Sequence, residues 1–154
     1  MTKGLAFAVA LAVAGPALAD FQDALSAYDA GDYETAYEEW HALAQEGDAE
    51  AEAALAGMHL VGAGVAQDFG KAAEWYRRAA KQGHAVARLN LGELYSTGRG
   101  VPRDYVQAYM WLGLAAAQGS AWADRRRAEI SWSMTLAQIA EAEDLIRAWQ
   151  ARAK

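Results

Sequence analysis

Three histidines, several clustered carboxylates, two glycine-rich turns, an arginine triplet and six tryptophans are the residues from which this chain could build chemistry. A metal centre needs ligands at matched spacing on one element or on two facing ones. His41, His59 and His84 fall on different segments without such spacing. Acid–base work needs a carboxylate in an unusual setting or beside a nucleophile. Glu38-Glu39, Glu50, Glu52 and the group Glu141, Glu143 and Asp144 read instead as solvated helix faces. Gly62-x-Gly64 opens like a dinucleotide fingerprint, but no strand precedes it and Gln67 stands where the third glycine belongs. The run from Gly64 to Lys71 imitates a phosphate-binding loop with one residue too many, and Ala72 replaces the required Ser or Thr. Cysteine is absent, which removes disulfides, thiol nucleophiles and thiolate metal sites. The sequence therefore predicts no catalytic residue, no cofactor and no metal.

The elements that position these residues repeat. A shift of 36 residues, with no gap, lays Leu55 on Leu91, Gly62 on Gly98, Gly64 on Gly100, Asp68 on Asp104, Ala72 on Ala108, Trp75 on Trp111 and Gly83 on Gly119. A weaker leading copy keeps the interval: Asp32, Tyr33, Ala36, Ala44 and Gly47 precede Asp68, Phe69, Ala72, Ala80 and Gly83. Periods of this length mark solenoids, in which one unit cannot bury its own apolar face and stacks on its neighbours.

Each unit reads as a helical hairpin. Asp68 and Asp104 precede apolar-periodic segments as N-caps, and Gly83 and Gly119 end those segments. The helices before them, around Ala49 to Val61 and Ala85 to Thr97, carry Leu55 and Met58, or Leu91, Leu94 and Tyr95, at helical spacing. Ala56 and Gly92 allow close helix approach. Trp75 and Trp111 recur with the repeat, and Trp40, Trp132 and Trp149 sit at helical spacing from other apolar residues, which assigns them to the core. His59 occupies the position of Tyr95 and is expected to pack with its ring hydrogen-bonded.

Leu91 to Gly119, written Leu-Gly-x-Leu-Tyr-x-x-Gly-x-Gly-Val-x-x-Asp-x-x-x-Ala-x-x-Trp-x-x-x-Ala-Ala-x-Gln-Gly, resembles the Sel1-like repeat, a relative of the tetratricopeptide repeat. Leu55 to Gly83 is similar, with Ala56, Met58 and His59 replacing Gly, Leu and Tyr. The resemblance implies an all-α, right-handed solenoid of α-α hairpins. Its expected divisions are a signal peptide over 1–19, an N-terminal hairpin over 20–47, repeats over 48–83 and 84–119, and C-terminal capping helices over 120–154. Thr135 and Gln138 have the spacing of a capping box at the start of a closing helix from Leu136. By analogy with tetratricopeptide packing, the first helix of each repeat turns Ala53, Gly57 and Leu60, then Leu89, Glu93 and Ser96, toward a peptide or protein partner.

Lys3, the apolar run Leu5 to Ala14 and Ala17-Leu18-Ala19 read as an export signal with cleavage expected before Asp20, which predicts a periplasmic or secreted chain without a lasting membrane anchor. Excluding Lys3 takes the formal charge from −6 to −7, which argues against nucleic acid as partner. Charge is unevenly spread: residues 20–70 hold no Lys or Arg, whereas Arg125-Arg126-Arg127 is the densest basic cluster. That triplet reads as a helix face paired with nearby acids, or as a dock for the acidic end of another copy. The sequence thus points to a non-catalytic envelope scaffold that binds a protein or peptide. Its rivals are a homo-oligomer built head to tail and an envelope hydrolase or β-lactam-interacting enzyme, the last resembling cysteine-rich relatives that this chain does not match.

Overall fold

Asp20, Asp32, Asp48, Asp68, Asp104, Ser120 and Thr135 each stand one residue ahead of a helix, and each side-chain oxygen accepts from a first-turn amide. Caps of this kind are worth about 0.5–2 kcal/mol apiece. His84 fills the same role with Nδ1, which accepts from the Ala87 amide at 3.1 Å. It sits at the register of Asp48 and Ser120, so this histidine is an N-cap. Thr135 and Gln138 complete the expected capping box.

A computed structural model describes residues 20–153, and the expected export segment lies outside the described residues. Among the described residues the chain forms eight helices and no strand. They are α1 (Phe21–Asp29), α2 (Tyr33–Gln45), α3 (Ala49–Val61), α4 (Phe69–Lys81), α5 (Ala85–Thr97), α6 (Tyr105–Ala117), α7 (Ala121–Ser131) and α8 (Leu136–Arg152). Successive pairs α1–α2, α3–α4 and α5–α6 form antiparallel hairpins that stack on one another; α7 and α8 both pack on α6. No helix among the described residues is long and apolar enough to cross a membrane.

Two apolar clusters run through the stack. The smaller joins the N-terminal hairpin to α3 through Ala36, Trp40, Ala44, Ala51, Leu55 and Met58. The larger extends from Ala56 to Ile146, and Trp75 touches both. Small residues recur at the buried register positions: Ala72 and Ala108, Ala79 and Ala115, and the trio Ala51, Ala87 and Ala123 are all fully buried. At Gly92 a Cβ would lie 2.7 Å from Leu112 Cγ and 3.3 Å from the Ala108 carbonyl, so the absence of a side chain sets the α5–α6 distance.

The loop glycines do more than turn the chain. Gly64 and Gly100 have φ of 68° and 70°, in the left-handed region. A Cβ on Gly64 would overlap Tyr33, and one on Gly100 would overlap the Phe69 backbone. Tyr33 and Phe69 open α2 and α4, so each repeat's loop rests on the second helix of the preceding hairpin. The same glycine thus serves the turn and the contact between repeats.

One expectation for the core fails. Trp132 is 91% exposed, because α7 ends at Ser131 and Trp132 lies at its C-cap, outside the helical register that would have turned it inward. Trp40 and Trp111 are buried, and Trp111 meets Trp149 edge to face at 5.0 Å. Trp75 is half-buried beneath the Arg78 guanidinium, 4.6 Å from its ring.

Candidate functional site

The first helices of the hairpins share a face, and α7 continues it. Ala85, Ala87 and Leu94 of α5 correspond at the 36-residue interval to Ala121, Ala123 and Ile130, and the latter two are buried like their counterparts. α7 is therefore the first helix of an incomplete third repeat. Its loop, Trp132-Ser133-Met134-Thr135, lacks the paired glycines, and α8 then packs on α6.

Ala53, Gly57, Leu60 and Leu89 are half-buried, and Ala53, Leu60 and Leu89 lean against the larger core cluster. Glu93 and Ser96 are engaged within the chain. Arg126 Nε of α7 donates to Glu93 Oε1 at 2.7 Å, and Ser96 is buried with its hydroxyl donating to the Glu93 carbonyl. For Glu93 the reason is α7, whose Arg126 reaches it. What the face exposes instead is a row at the repeat interval, Glu50, Val86 and Trp122. Trp122, 46% exposed, lines a shallow depression of about 260 Å³ with Arg125, Arg126 and Glu129. Extending the 36-residue shift one helix further identifies this row from sequence.

The arginine triplet divides among different tasks. Arg126 also pairs with Glu129 at 2.9 Å, and its hydrogen bonds to Glu129 and Glu93 raise its pKa. Arg127 Nη2 meets Asp124 at 2.9 Å, and its guanidinium lies 5.2 Å from the Tyr109 ring. The Tyr109 hydroxyl donates to Glu143 Oε1 at 2.7 Å. Burial, followed by that hydrogen bond, raises the Tyr109 pKa. Among the described residues, Arg125 alone of the three makes no carboxylate pair. Pairing with nearby acids is thus the structural answer for Arg126 and Arg127.

A second polar junction joins the N-terminal hairpin to the first repeat. Glu52, expected on a solvated face, is 1% exposed. Arg78 Nε donates to it at 2.8 Å, and Gln82 Nε2 donates to its other oxygen at 2.8 Å. Arg78 Nη2 also caps the end of α2 by donating to the Ala44 carbonyl at 3.1 Å. Glu39 is half-buried with one carboxylate oxygen enclosed, so it too leaves the solvated set. His41 stacks on Tyr37 and meets Trp75 edge to face.

His59 corrects another expectation. It is 4% exposed and meets Tyr37 edge to face at 5.9 Å, but both ring nitrogens are buried without a hydrogen-bond partner among the described residues. Burial lowers its pKa, Lys71 reinforces the effect, and Asp68 opposes it. The ring is a neutral packing element where the next repeat has Tyr95, whose hydroxyl accepts from Arg77 at 3.1 Å.

His41, His59 and His84 belong to α2, α3 and the α5 cap, and the first two both pack against the Tyr37 ring. No group of three His, Asp or Glu among the described residues is placed to hold a metal ion. The geometry offers shape, aromatic surface and oriented charge, and its class is a solenoid of stacked helical hairpins. Residues 49–84 and 85–120 match the Sel1 repeat, and the chain is a Sel1-repeat protein. Such repeats mediate contacts between proteins. The structure is similar to that of c5321, a protective antigen of uropathogenic Escherichia coli strains that displays an SLR fold, with a TM-score of 0.79 and 31% identity over 84% of this chain. It is also similar to a Sel1 repeat protein from Oxalobacter formigenes, with a TM-score of 0.69 and 28% identity over 73% of this chain. The chain spans 28% of the first of those proteins and 46% of the second. No curated protein matches it in sequence.

Proposed function

We propose that this chain is an exported, non-catalytic scaffold that holds a protein segment along the face built by α3, α5 and α7. The observation that carries the reading is the periodic exposed row Glu50, Val86 and Trp122, which ends in the depression between Trp122 and Arg125. A half-exposed tryptophan beside an unpaired arginine is the composition of an interface anchor. The dispersal of His, Asp and Glu supports a binding role over a chemical one, and the N-terminal apolar run supports export to the periplasm.

The test places a photo-crosslinking residue at Val86 in cells and identifies what it captures. One discrete partner, lost on Trp122→Ala with Arg125→Glu while the melting curve holds, supports the scaffold. Captured proteins unchanged by those substitutions, or a cytoplasmic chain that retains residues 1–19, would refute the binding face or the export respectively.

A further inference from the structure

A second site lies away from that face, where α8 packs on α6 beside the end of α4. A cavity of about 280 Å³ opens there, with Trp111 and Trp149 as an aromatic wall, Tyr95 at one side, and Arg77, Lys81 and Arg152 around it. A smaller cavity of about 190 Å³ adjoins it and shares Lys81, Trp149 and Arg152. No described Asp or Glu lines either one. Arg78, Arg126, Arg127 and Arg147 are neutralised by carboxylates, whereas Arg77, Lys81 and Arg152, like the dispersed Lys71, Arg88, Arg99, Arg103 and Arg125, have none within ion-pair distance among the described residues; these three are the ones that gather at one cavity. Arg77 is half-buried and uses Nη2 on the Tyr95 hydroxyl, which fixes the guanidinium beside the aromatic wall.

Three uncompensated cations gathered at one aromatic cavity, in a protein of net negative charge, define an anion site with an apolar component. The main cavity falls just below the ~300–1,000 Å³ of pockets that enclose drug-sized ligands, so it fits one residue rather than a whole cofactor. We propose that it captures the carboxyl-terminal residue of an acidic peptide. The terminal carboxylate pairs with Arg77, and the last side chain, aromatic or large and apolar, stacks on Trp149 and Trp111. The preceding acidic residues run out through the smaller cavity between Lys81 and Arg152. The adjoining second cavity favours a chain over a small metabolite, because it gives the preceding residues of a peptide a place flanked by the two remaining cations.

The site is independent of the face proposed above, and the test keeps the two apart. The full chain is titrated with acetyl-Glu-Glu-Phe, with the same tripeptide as its carboxyl-terminal amide, and with N-acetyl-phenylalanine, followed by calorimetry and by NMR shifts of the tryptophan side-chain N–H groups. The free acid should bind and shift Trp111 and Trp149. The amide should bind at least about tenfold more weakly, and affinity should fall with added salt because the contact is ionic. Lys81→Glu with Arg152→Glu, both at exposed positions, should abolish binding without moving the melting curve, while Trp122→Ala should leave it intact. Equal binding of acid and amide, no binding of either, or wild-type affinity in the charge-reversed variant would overturn the site. N-acetyl-phenylalanine bound as tightly as the tripeptide would overturn the peptide assignment.

Discussion

The buried Glu52 network can be rewritten using the protein's own second repeat. Glu52 and Gln82 correspond to Arg88 and Gln118, and Ala44 to Ala80. In the first repeat Gln82 donates to Glu52, and Arg78 satisfies the Ala44 carbonyl. In the second, Arg88 Nη1 donates to Gln118 Oε1 at 2.9 Å, and Arg88 Nε satisfies the Ala80 carbonyl at 3.1 Å. The position of Arg78 is held there by Leu114, which is buried. One repeat thus uses a Glu–Arg pair for the task that a single arginine performs in the other.

Arg78→Leu alone strands a carboxylate with only Gln82 for company and takes from the Ala44 carbonyl its side-chain donor, leaving the Gly47 amide. Removing one partner of a buried pair costs about 3–5 kcal/mol. Arg78 is 48% exposed, so solvent screens part of the attraction and the lower end, about 3 kcal/mol, applies. Glu52→Arg alone places a second guanidinium against Arg78 in the same enclosed space, at a similar cost of about 3 kcal/mol. Together the substitutions recreate the second repeat's arrangement, in which the arginine introduced at position 52 reaches both Gln82 and the Ala44 carbonyl. The double variant should then lose about 2 kcal/mol or less, a coupling of several kcal/mol in its favour. Urea unfolding reads this directly, since about 3 kcal/mol moves the midpoint by roughly 1–3 M. A double variant no more stable than the sum of its parents would refute the equivalence of the two networks.

Three further outcomes follow from the packing. Gly92→Val forces a side chain into the space occupied by Leu112 and should destabilise by about 1–3 kcal/mol in urea unfolding, with partial recovery when Leu112→Ala is added. Trp111→Ala should cost about 3–5 kcal/mol, whereas Trp132→Ala, at a position open to solvent, should stay within about 0.5 kcal/mol of wild type in the same assay. His59 has a folded pKa below its ordinary value near 6.5, so the unfolded chain takes up a proton first as pH falls. Stability from this group is therefore intact above about pH 6.5 and declines below it, and His59→Tyr should flatten that part of the melting temperature's pH profile.

The 36-residue interval made the hairpins, their caps and their glycines legible, because each of these answers a backbone demand that recurs with the turn. Gly100 must be glycine wherever the loop lies on Phe69, so its recurrence carries the information. Polar partners behave differently. Glu52 and Arg88 share a register position yet bear opposite charges, and each is satisfied by a different arrangement of neighbours. Pattern alone assigns such a residue to solvent, as it did for Glu52, because only the three-dimensional neighbourhood shows Arg78 and Gln82 closing over it. His59 illustrates the converse: its register partner Tyr95 has a hydrogen bond, but Arg77, which supplies it, corresponds to His41 in the preceding copy. The face proposed to hold a partner was legible as a set of helices, but the Arg126–Glu93 pair at its end was not, since the third copy fades after Ile130 and the shift has to be followed through a helix with no hairpin partner of its own.

That incomplete third repeat also decides where charge remains available. Read as a string, Arg125-Arg126-Arg127 is the obvious basic surface to meet an acidic partner or the acidic end of another copy. In the fold, α7 turns Arg126 onto Glu93 and Glu129, and Arg127 onto Asp124 and Tyr109. The triplet thereby fastens α7 to the second repeat and keeps only Arg125 outward. Because α8 packs on α6 instead of pairing with α7, Arg152 comes to lie near Arg77 and Lys81, three residues that are dispersed in sequence and share no motif. Two of the triplet's three charges are used in fastening α7, and the cations of the proposed peptide site are brought together from separate helices by the packing of α8.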